Sequence, residues 1–282
     1  MNNQPPIPFE LNKTHCGNNC ELIAQLPEAC IDLTVTSPPY DDMDLDFNPL
    51  SKGGLRTYNG YSWDFKTLAT ELYRVTKPGG VCVWVVNDPT IDGSESLASS
   101  LQKIYFRICG FMLHDTMIYQ KINGAMGSDA TYLQEYEFMF VLSKGKPKTV
   151  NFIRDRRNVE TGNKTTPKKK SDKNGSTQDR HVIKRDEFGR RKNIWAYAVG
   201  GEQEIGEHPA IFPKSLARDH ITSWSNPGDL VLDPFSGSGT TGKMALEAGR
   251  RFLGFEISQE YTTLANRRTA GAKVPLFDWT GV

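Results

Sequence analysis

The stretch LVLDPFSGSGTTGKMALEAG, residues 230–249, decides the fold, because it predicts a buried strand, a glycine-rich turn and a helix in direct succession. The run Leu230–Asp233 is apolar and ends in a carboxylate. Glycines follow it, and the helical pattern begins near Thr240. A strand that passes through a glycine turn into a helix is a building unit of parallel α/β sheets.

Further apolar strands and helical segments alternate along the chain, with glycine and proline between them. This alternation predicts an α/β fold with one doubly wound, mostly parallel sheet. The other predicted strands are Ile31–Thr36, Val81–Val86, Asp115–Gln120, Phe138–Ser143 and Phe252–Glu256. The predicted helices are Cys20–Leu26, Phe65–Val75, Ser96–Cys109, Pro213–Trp224, Thr240–Gly249 and Gln259–Ala270.

Length and composition exclude several classes of protein. The 282 residues carry a net charge of +1 and can bury a large core. No apolar run could span a bilayer and residues 1–10 do not resemble a signal peptide, so we expect no membrane partner. Five cysteines, an odd number, favour reduced thiols in a cytoplasm. His15 with three cysteines lacks a known zinc spacing, and Asp42–Asn48 lacks the EF-hand glycine and glutamate, so we expect no metal.

Positive charge is concentrated in the block Lys144–Lys192, which holds 17 Lys and Arg against 6 Asp and Glu. The rest of the chain holds 17 against 27. Such a block favours a polyanionic partner, although a solvated loop is the ordinary explanation of a charge run. Thr165–Lys192 has few apolar residues and predicts a loop. The expected division is therefore 1–143, a basic insertion at 144–193, and 194–282.

The glycines of the first stretch, Gly237, Gly239 and Gly242, match the dinucleotide fingerprint G-x-G-x-x-G, which is a weak signal by itself. Asp233 precedes them and would repel a pyrophosphate, but it suits a ligand that carries an ammonium group. S-adenosylmethionine has that group, and its carboxylate can accept N–H groups from the turn. Glu256 ends the next strand and can accept ribose hydroxyls. Capping a surface helix is the alternative for Glu256.

A second stretch, TSPPY at Thr36–Tyr40, ends the predicted strand Ile31–Thr36. Its two prolines stop regular structure. The Ser37 hydroxyl and the Pro38 carbonyl can accept the N–H bonds of an exocyclic amine and so aim its lone pair, while Tyr40 can stack on the base. Such a base must first leave the duplex. A plain Pro-Pro turn with a core tyrosine is the alternative.

SPPY followed much later by DPFSGSGTT resembles the β-class DNA amino-methyltransferases. Residues 15–40, 72–85 and 208–221 extend the resemblance over most of the chain. It implies a Rossmann-like class I methyltransferase fold, circularly permuted so that the catalytic segment precedes the cofactor loop. It also implies S-adenosyl-L-methionine as cofactor and double-stranded DNA as substrate. Methyl transfer then requires the two motifs to meet at adjoining strand ends.

The resemblance further implies which residues form the site. Ser37, Pro38, Pro39 and Tyr40 are expected to be catalytic. Many members have Asp near position 18, where this chain has Asn18, which weakens that expected contact. The residues expected to bind the cofactor are Asn18, Thr36, His208, Phe212, Asp233, Pro234, Phe235, Ser236, Gly237, Ser238, Gly239, Thr240, Thr241 and Glu256.

The basic insertion falls where the family carries its target-recognition region, and this indicates DNA contacts there. Arg56 and Tyr58, in the segment after the catalytic motif, are expected either to touch the flipped nucleotide or only to order their loop. Phosphate contacts are expected to dominate, which predicts weak sequence specificity. The full set of residues expected to bind DNA is Arg56, Tyr58, Lys168, Lys169, Lys170, Arg190 and Arg191.

The motifs leave the target base open. SPPY is frequent among cytosine-N4 members and DPPY among adenine-N6 members, yet the wider pattern resembles prophage-type modification methylases that include adenine-N6 enzymes. We therefore expect adenine N6 first and cytosine N4 of a restriction-modification system second, with a homodimer left open. An RNA or protein methyltransferase, a DNA-binding module without catalysis and a nicotinamide oxidoreductase are the rivals. Ser37, Asp233 and the order of the motifs oppose them.

Overall fold

The computed structural model describes residues 5–39, 63–91, 93–123, 132–159, 162–166, 181–198 and 212–273. The chain forms two compact units, of which residues 152–192 make up the smaller and the remainder the larger. The segment Asp42–Asn48 lies outside the described residues, as do several residues expected in the site. These residues are Tyr40, Arg56, Tyr58, Lys168, Lys169, Lys170 and His208.

An eight-stranded sheet forms the centre of the larger unit. Its strands are β1 (Lys13–Cys16), β2 (Ile31–Thr36), β3 (Thr76–Val86), β4 (Met112–Ile122), β5 (Tyr136–Ser143), β6 (Ile194–Ala198), β7 (Leu230–Asp233) and β8 (Arg251–Glu256). Their order across the sheet is β1-β8-β7-β2-β3-β5-β4-β6. β5 runs antiparallel to both of its neighbours, and all other neighbouring pairs are parallel. The expected α/β fold with a mostly parallel sheet is confirmed.

Six helices accompany the sheet in the described part of the larger unit, each within two residues of its predicted bounds. Contacts join α1 to α2 and α2 to α3, and likewise α4 to α5 and α5 to α6. No helix among the described residues is long and apolar enough to cross a membrane. The helices are α1 (Asn19–Ala24), α2 (Phe65–Val75), α3 (Ala98–Cys109), α4 (Lys214–Trp224), α5 (Thr240–Glu247) and α6 (Gln259–Ala270).

A single apolar cluster links both motif-bearing strands to the helices α1–α3. Trp84 on β3 is fully buried at its centre, where its ring meets Phe106 of α3 with centroids 5.1 Å apart. Ile31 and Leu232, from β2 and β7, belong to the same cluster. Burial of rings of this size is a dominant contribution to stability, so the strand ends rest on a rigid base.

The two edge strands, β1 and β6, were not predicted from the sequence. β1 is a short strand, and its exposed edge is covered by a side chain: Asn266 of α6 accepts from Thr14 N over 2.8 Å and donates to Thr14 O over 2.9 Å. β6 pairs in parallel with β4 directly after the basic block. A short two-residue pair, Thr90–Ile91 with Ser94–Glu95, was also missed. The two edge strands pair with strands distant in sequence, and the two-residue pair depends on a tight turn, so local apolar patterns do not reveal them.

Strand β3 begins at Thr76, five residues before its predicted start. The backbone of Gly79 and Gly80 bonds with Lys144 and Lys148, which extends the sheet beyond the apolar run. Residues 144–151, which we placed in the basic insertion, consequently lie in the larger unit.

The smaller unit contains two antiparallel strand pairs. Arg156–Arg157 pairs with Phe188–Gly189, and Gly162–Thr166 pairs with His181–Arg185. The predicted loop at Thr165–Lys192 is therefore wrong for residues 165–166, 181–185 and 188–189. The second pair contains the β-branched residues Thr165, Thr166, Val182 and Ile183, which favour extended backbone, and the high local charge masked that preference in the sequence.

Gly242 of α5 packs directly on β8, and we predict that Gly242→Ala destabilises the fold. A Cβ at this position would lie 2.5 Å from the ring of Phe252, which is fully buried. Replacement of glycine by alanine inside a helix normally stabilises a protein by about 0.5–1 kcal/mol. Here we expect the opposite, a fall of about 1–3 kcal/mol in the free energy of unfolding, because of this close contact. Chemical denaturation measures it.

Gly271→Ala is the matched control, because a Cβ there would have its nearest neighbour at 3.7 Å. We expect its free energy of unfolding to stay within about 0.5 kcal/mol of the native chain. Equal stability of the two variants would contradict the packing argument.

Candidate active site at the carboxyl ends of the central strands

The carboxyl ends of β2 and β7 lie side by side, because these two parallel strands pair directly. Their alignment, Leu232 opposite Thr34, brings the residues that end the strands into contact. Thr36 Oγ1 donates to Asp233 Oδ1 over 2.7 Å. The TSPP and DPFSGSG segments therefore leave the sheet from adjoining strand ends, as methyl transfer requires.

The catalytic segment follows β2 without a break. Ser37 and Pro39 are half-buried and Pro38 is buried. The backbone after Thr36 is not extended further into the sheet, in keeping with the two prolines. The structure thus places Ser37 and Pro38 one and two residues beyond the contact with Asp233.

Asp233 is 4% exposed, and burial raises its pKa to about 6. Hydrogen bonds from the Thr36 and Thr241 hydroxyls and from the N–H of Phe235 oppose this rise, and the carboxylate of Glu256 adds to it. The N–H of Phe235 donates to the same oxygen as Thr36, over 3.1 Å. At neutral pH the group is mainly ionised and is held by neutral donors, an arrangement that favours an added cation.

The glycine turn after β7 has the backbone that only glycine adopts easily. Gly237 and Gly239 have φ values of +49° and +81°. A Cβ at Gly239 would lie 2.8 Å from the Cβ of Ala265 in α6, so this position also needs the absence of a side chain. The turn is fixed further by the hydroxyl pair of Ser236 and Thr14, 2.9 Å apart. Helix α5 begins directly after it, where N–H groups of the first turn have no acceptor within the helix.

Glu256 joins the glycine turn to the end of β8. Its Oε2 accepts from the N–H of Gly237 over 2.8 Å, and its Oε1 accepts from the N–H of Ser258 over 2.9 Å. Burial raises its pKa, and these backbone donors oppose that rise. Ser258, not Glu256, is the N-cap of α6, since its hydroxyl accepts from the first turn. The N–H of Ile257 also lowers the pKa of Glu256, and the ribose contact stays a prediction.

Asn18 has a structural role as the N-cap of α1, where its side-chain oxygen accepts two N–H groups. The preceding Gly17 donates to the carbonyl of Glu256 over 2.9 Å, so Asn18 lies near the end of β8. The ring of Phe235 packs edge-on against Trp63, with centroids 4.9 Å apart. Phe212 is half-buried just before α4. Ligand contacts for these residues stay predictions.

Two side chains that hold the turn in place escaped the sequence analysis. Arg268 of α6 donates through Nη1 to the Ser238 carbonyl at 2.6 Å, to the Ser238 hydroxyl at 2.9 Å and to the Thr240 hydroxyl at 3.3 Å. Asn19 of α1 donates to the Pro234 carbonyl over 3.3 Å. Arg268 belongs to no motif, and Asn19 lies in the segment 15–40 but was not among the expected site residues. The pairing of Arg268 with Ser238 depends on the packing of α6 beside the turn, which no local pattern reveals.

The side chains considered for zinc do not converge. His15, Cys16 and Cys20 each lie within hydrogen-bond distance of a different backbone carbonyl, and Cys30 is buried. Within the described ranges no three His, Cys, Asp or Glu side chains are grouped to hold a metal ion.

Arg190 and Arg191 of the smaller unit differ in their surroundings. Arg191 donates through Nε to Asp155 Oδ2 over 2.7 Å and forms an ion pair with it. The Arg190 guanidinium lies 4.1 Å above the ring of Phe152, and the residue is exposed. Stacking of this kind orients a guanidinium while its N–H groups remain able to donate. Of the two predicted DNA contacts, Arg190 is the better placed to offer its charge.

The sheet order, the glycine turn, the acidic strand ends and the adjoining proline corner define a class I methyltransferase fold. Residues 31–267 match the family model for N6/N4 methyltransferases, described as DNA methylase. This match covers more than half of the chain, and the protein therefore belongs to the DNA methylase family. The fold class and the family expected from the motifs are confirmed, and the circular permutation stays a prediction.

Individual relatives agree with the family assignment. The chain is 49% identical over 250 residues to the orphan methyltransferase M.BamHII of Bacillus amyloliquefaciens, covering 86% of this chain and 89% of that protein. Over 65 residues it is 49% identical to the DNA adenine methyltransferase YhdJ of Escherichia coli K12, covering 23% and 22%. TTHA0409 of Thermus thermophilus, solved with S-adenosyl-L-methionine, superposes with a TM-score of 0.61 at 27% identity, covering 94% and 97%.

Arg268→Ala is predicted to loosen the glycine turn. The change removes donors from the carbonyl and hydroxyl of Ser238, and we expect the free energy of unfolding to fall by about 1–3 kcal/mol. Arg267→Ala, at an exposed position in the same turn of α6, is the control and should change it by less than about 0.5 kcal/mol. Urea denaturation of both variants measures these changes. An Arg268→Ala chain as stable as the native chain would show that the turn does not need this anchor.

Proposed function

We propose that this DNA methylase transfers a methyl group from S-adenosyl-L-methionine to the exocyclic amino group of a base flipped out of double-stranded DNA. The observation that carries the proposal is the contact between Thr36 and Asp233, which joins the end of the strand bearing Ser37 and Pro38 to the end of the strand bearing the glycine turn. Membership of the DNA methylase family and the cofactor in TTHA0409 support it.

The residues at the ends of β7 and β8 fit this cofactor. Asp233 is a buried carboxylate, mainly ionised at neutral pH, that accepts hydrogen bonds from neutral donors, and it would hold the ammonium group of the methionine part. Glu256 would accept the ribose hydroxyls through its remaining lone pairs, and the start of α5 would face the carboxylate. When bound, S-adenosylmethionine supplies a methyl group made electrophilic by its sulfonium, and S-adenosylhomocysteine is the leaving product.

Ser37 and Pro38 would orient the amine that receives the methyl group. The lone pair of an exocyclic amine is delocalised into the base ring, which makes the nitrogen a poor nucleophile. When the Ser37 hydroxyl and the Pro38 carbonyl accept its two N–H bonds, the nitrogen moves toward tetrahedral geometry and its lone pair points away from the ring. Ser37 is too weak a base to remove a proton first, so the methylated amine loses its proton to solvent water after transfer. Tyr40 would stack on the base.

Adenine N6 is our first candidate for the target and cytosine N4 the second. The wider motif pattern and the local identity to the adenine methyltransferase YhdJ favour adenine. The SPPY tetrapeptide favours cytosine. Both amines need the same pair of acceptors, so the reaction assigned to Ser37 and Pro38 is the same for either base.

The basic smaller unit would hold the DNA backbone. Its described part has exposed arginines such as Arg190 and contains only short strand pairs. Lys168, Lys169 and Lys170 add charge from the same unit, while Arg56 and Tyr58 would meet the flipped nucleotide. Phosphate contacts carry no sequence information directly, and we therefore propose weak sequence specificity.

Incubating the purified chain with labelled S-adenosylmethionine and duplex DNA tests the proposal in one measurement. Mass spectrometry of the digested nucleosides is expected to show N6-methyladenine, and N4-methylcytosine would assign the second candidate base. RNA and ribosomal protein, offered in parallel, should stay unlabelled. Mapping of the methylated positions should reveal many sequence contexts, whereas a single motif of several fixed bases would contradict weak specificity.

Ser37→Ala is predicted to lower methyl transfer at saturating cofactor by about a hundredfold or more, because it removes one of the two acceptors that orient the amine. Cofactor affinity, measured by calorimetry, should remain within a factor of about two. Ser143→Ala is the matched control: this serine is 1% exposed, and its hydroxyl has no hydrogen-bond partner among the described residues. Transfer by Ser37→Ala at the native rate would remove Ser37 from the mechanism.

A further inference from the structure

Two threonines of β2 face the interior, and their hydroxyls differ in hydrogen bonding. Thr34 and Thr36 are both fully buried. The Thr34 hydroxyl has no hydrogen-bond partner among the described residues, whereas Thr36 donates to Asp233 over 2.7 Å. A hydroxyl has one hydrogen to donate, so the donor capacity of Thr36 is committed to Asp233. The side chain that we expected to bind the cofactor is thus engaged within the protein.

The contact links the segments on which the reaction depends. Thr36 ends β2 and immediately precedes Ser37, while Asp233 ends β7 and precedes the glycine turn. One oxygen of Asp233 accepts from both the Thr36 hydroxyl and the N–H of Phe235. The Thr241 hydroxyl of α5 donates to the carbonyl of Val35, the residue before Thr36, over 3.4 Å, and Thr241 lowers the pKa of Asp233.

We propose that Thr36 is a positioning residue that sets the spacing between the base-holding corner and the cofactor turn, and not a ligand of the cofactor. This inference rests on the proposed function. The amine nitrogen, the methyl carbon and the sulfur must be nearly in line for transfer, and displacement of one partner by about 1 Å can cost on the order of a hundredfold in rate. A buried hydrogen bond to a carboxylate is short and directional, which suits it to hold such a distance.

The hydrogen bond from Thr36 also affects the protonation of Asp233. The hydroxyls of Thr36 and Thr241 and the N–H of Phe235 lower its pKa from the value set by burial, and Glu256 is the charged group that acts on it, in the raising direction. Loss of the Thr36 donor removes a lowering contribution and moves the pKa of Asp233 further up from about 6. If the ionised form holds an ammonium group, cofactor binding strengthens as pH rises through this pKa, and the variant needs a higher pH.

The experiment compares Thr36→Val, Thr36→Ser and Thr34→Val in the full chain. Valine keeps the shape of threonine and removes the hydroxyl. We expect Thr36→Val to slow single-turnover methyl transfer to duplex DNA at saturating S-adenosylmethionine by at least about tenfold. Its pH midpoint of cofactor binding should move upward, whereas Thr36→Ser restores both properties. Thr34→Val is the control, because it removes a buried hydroxyl that has no hydrogen-bond partner among the described residues. We expect its transfer rate and its pH midpoint of cofactor binding to match those of the native chain.

Thermal unfolding establishes that each variant is folded, and Thr36→Cys, which has only a weak donor and lacks the γ-methyl group, replaces Thr36→Val if the latter does not fold. A Thr36→Val enzyme that matches Thr34→Val in rate and pH midpoint would overturn the inference while leaving the methylase function intact. A large loss of cofactor affinity at every pH, with no change in the rate at saturation, would instead make Thr36 a cofactor ligand. Absence of transfer by the native chain would overturn the proposed function itself, which keeps the two failures apart.

Discussion

The pairing of β2 with β7 is the constraint on which the site depends. Thr36 and Asp233 are separated by 197 positions in the chain, yet their side chains meet at 2.7 Å. Closing so long a loop has an entropic cost that grows slowly with length, and the apolar cluster around Trp84, Ile31 and Leu232 offsets it by burying large side chains. The core consequently fixes the strand ends, and it thereby positions the motif residues that follow them directly.

The main strands and helices could be predicted from the sequence because their signal is local. Ile31–Thr36 and Leu230–Asp233 are apolar runs with clear stops, and both have the predicted bounds. β1 carries no such signal: it is short, and it is held by Asn266, more than 250 positions away. The anchors of the glycine turn are hidden for the same reason. Arg268 looks like any charged residue of an exposed helix until α6 is packed beside Ser238.

The glycine turn shows how one motif can serve different ligands and why its surroundings must be read with it. Gly237 and Gly239 adopt positive φ angles, and Gly242 allows α5 to pack on Phe252. These are backbone and packing requirements, and a dinucleotide-binding protein has the same ones. The fingerprint therefore reports the shape of the turn. It carries no information about the charge of what binds there.

The charge of the site comes from the carboxylates at the two strand ends that flank the glycine turn. Asp233 and Glu256 end neighbouring parallel strands, and both have raised pKa values, mainly because they are buried. In the part of the chain that the structure describes, the hydrogen bonds to these two carboxylates come from neutral backbone and hydroxyl groups, so each carboxylate keeps its negative charge unpaired by these donors. A pyrophosphate would add like charge at short range, whereas a nucleoside that carries both an ammonium and a sulfonium group lowers the electrostatic energy of the site. Asp233 is thus the residue on which we base the proposal of a methyl-donor site and not a dinucleotide site on the same glycine pattern.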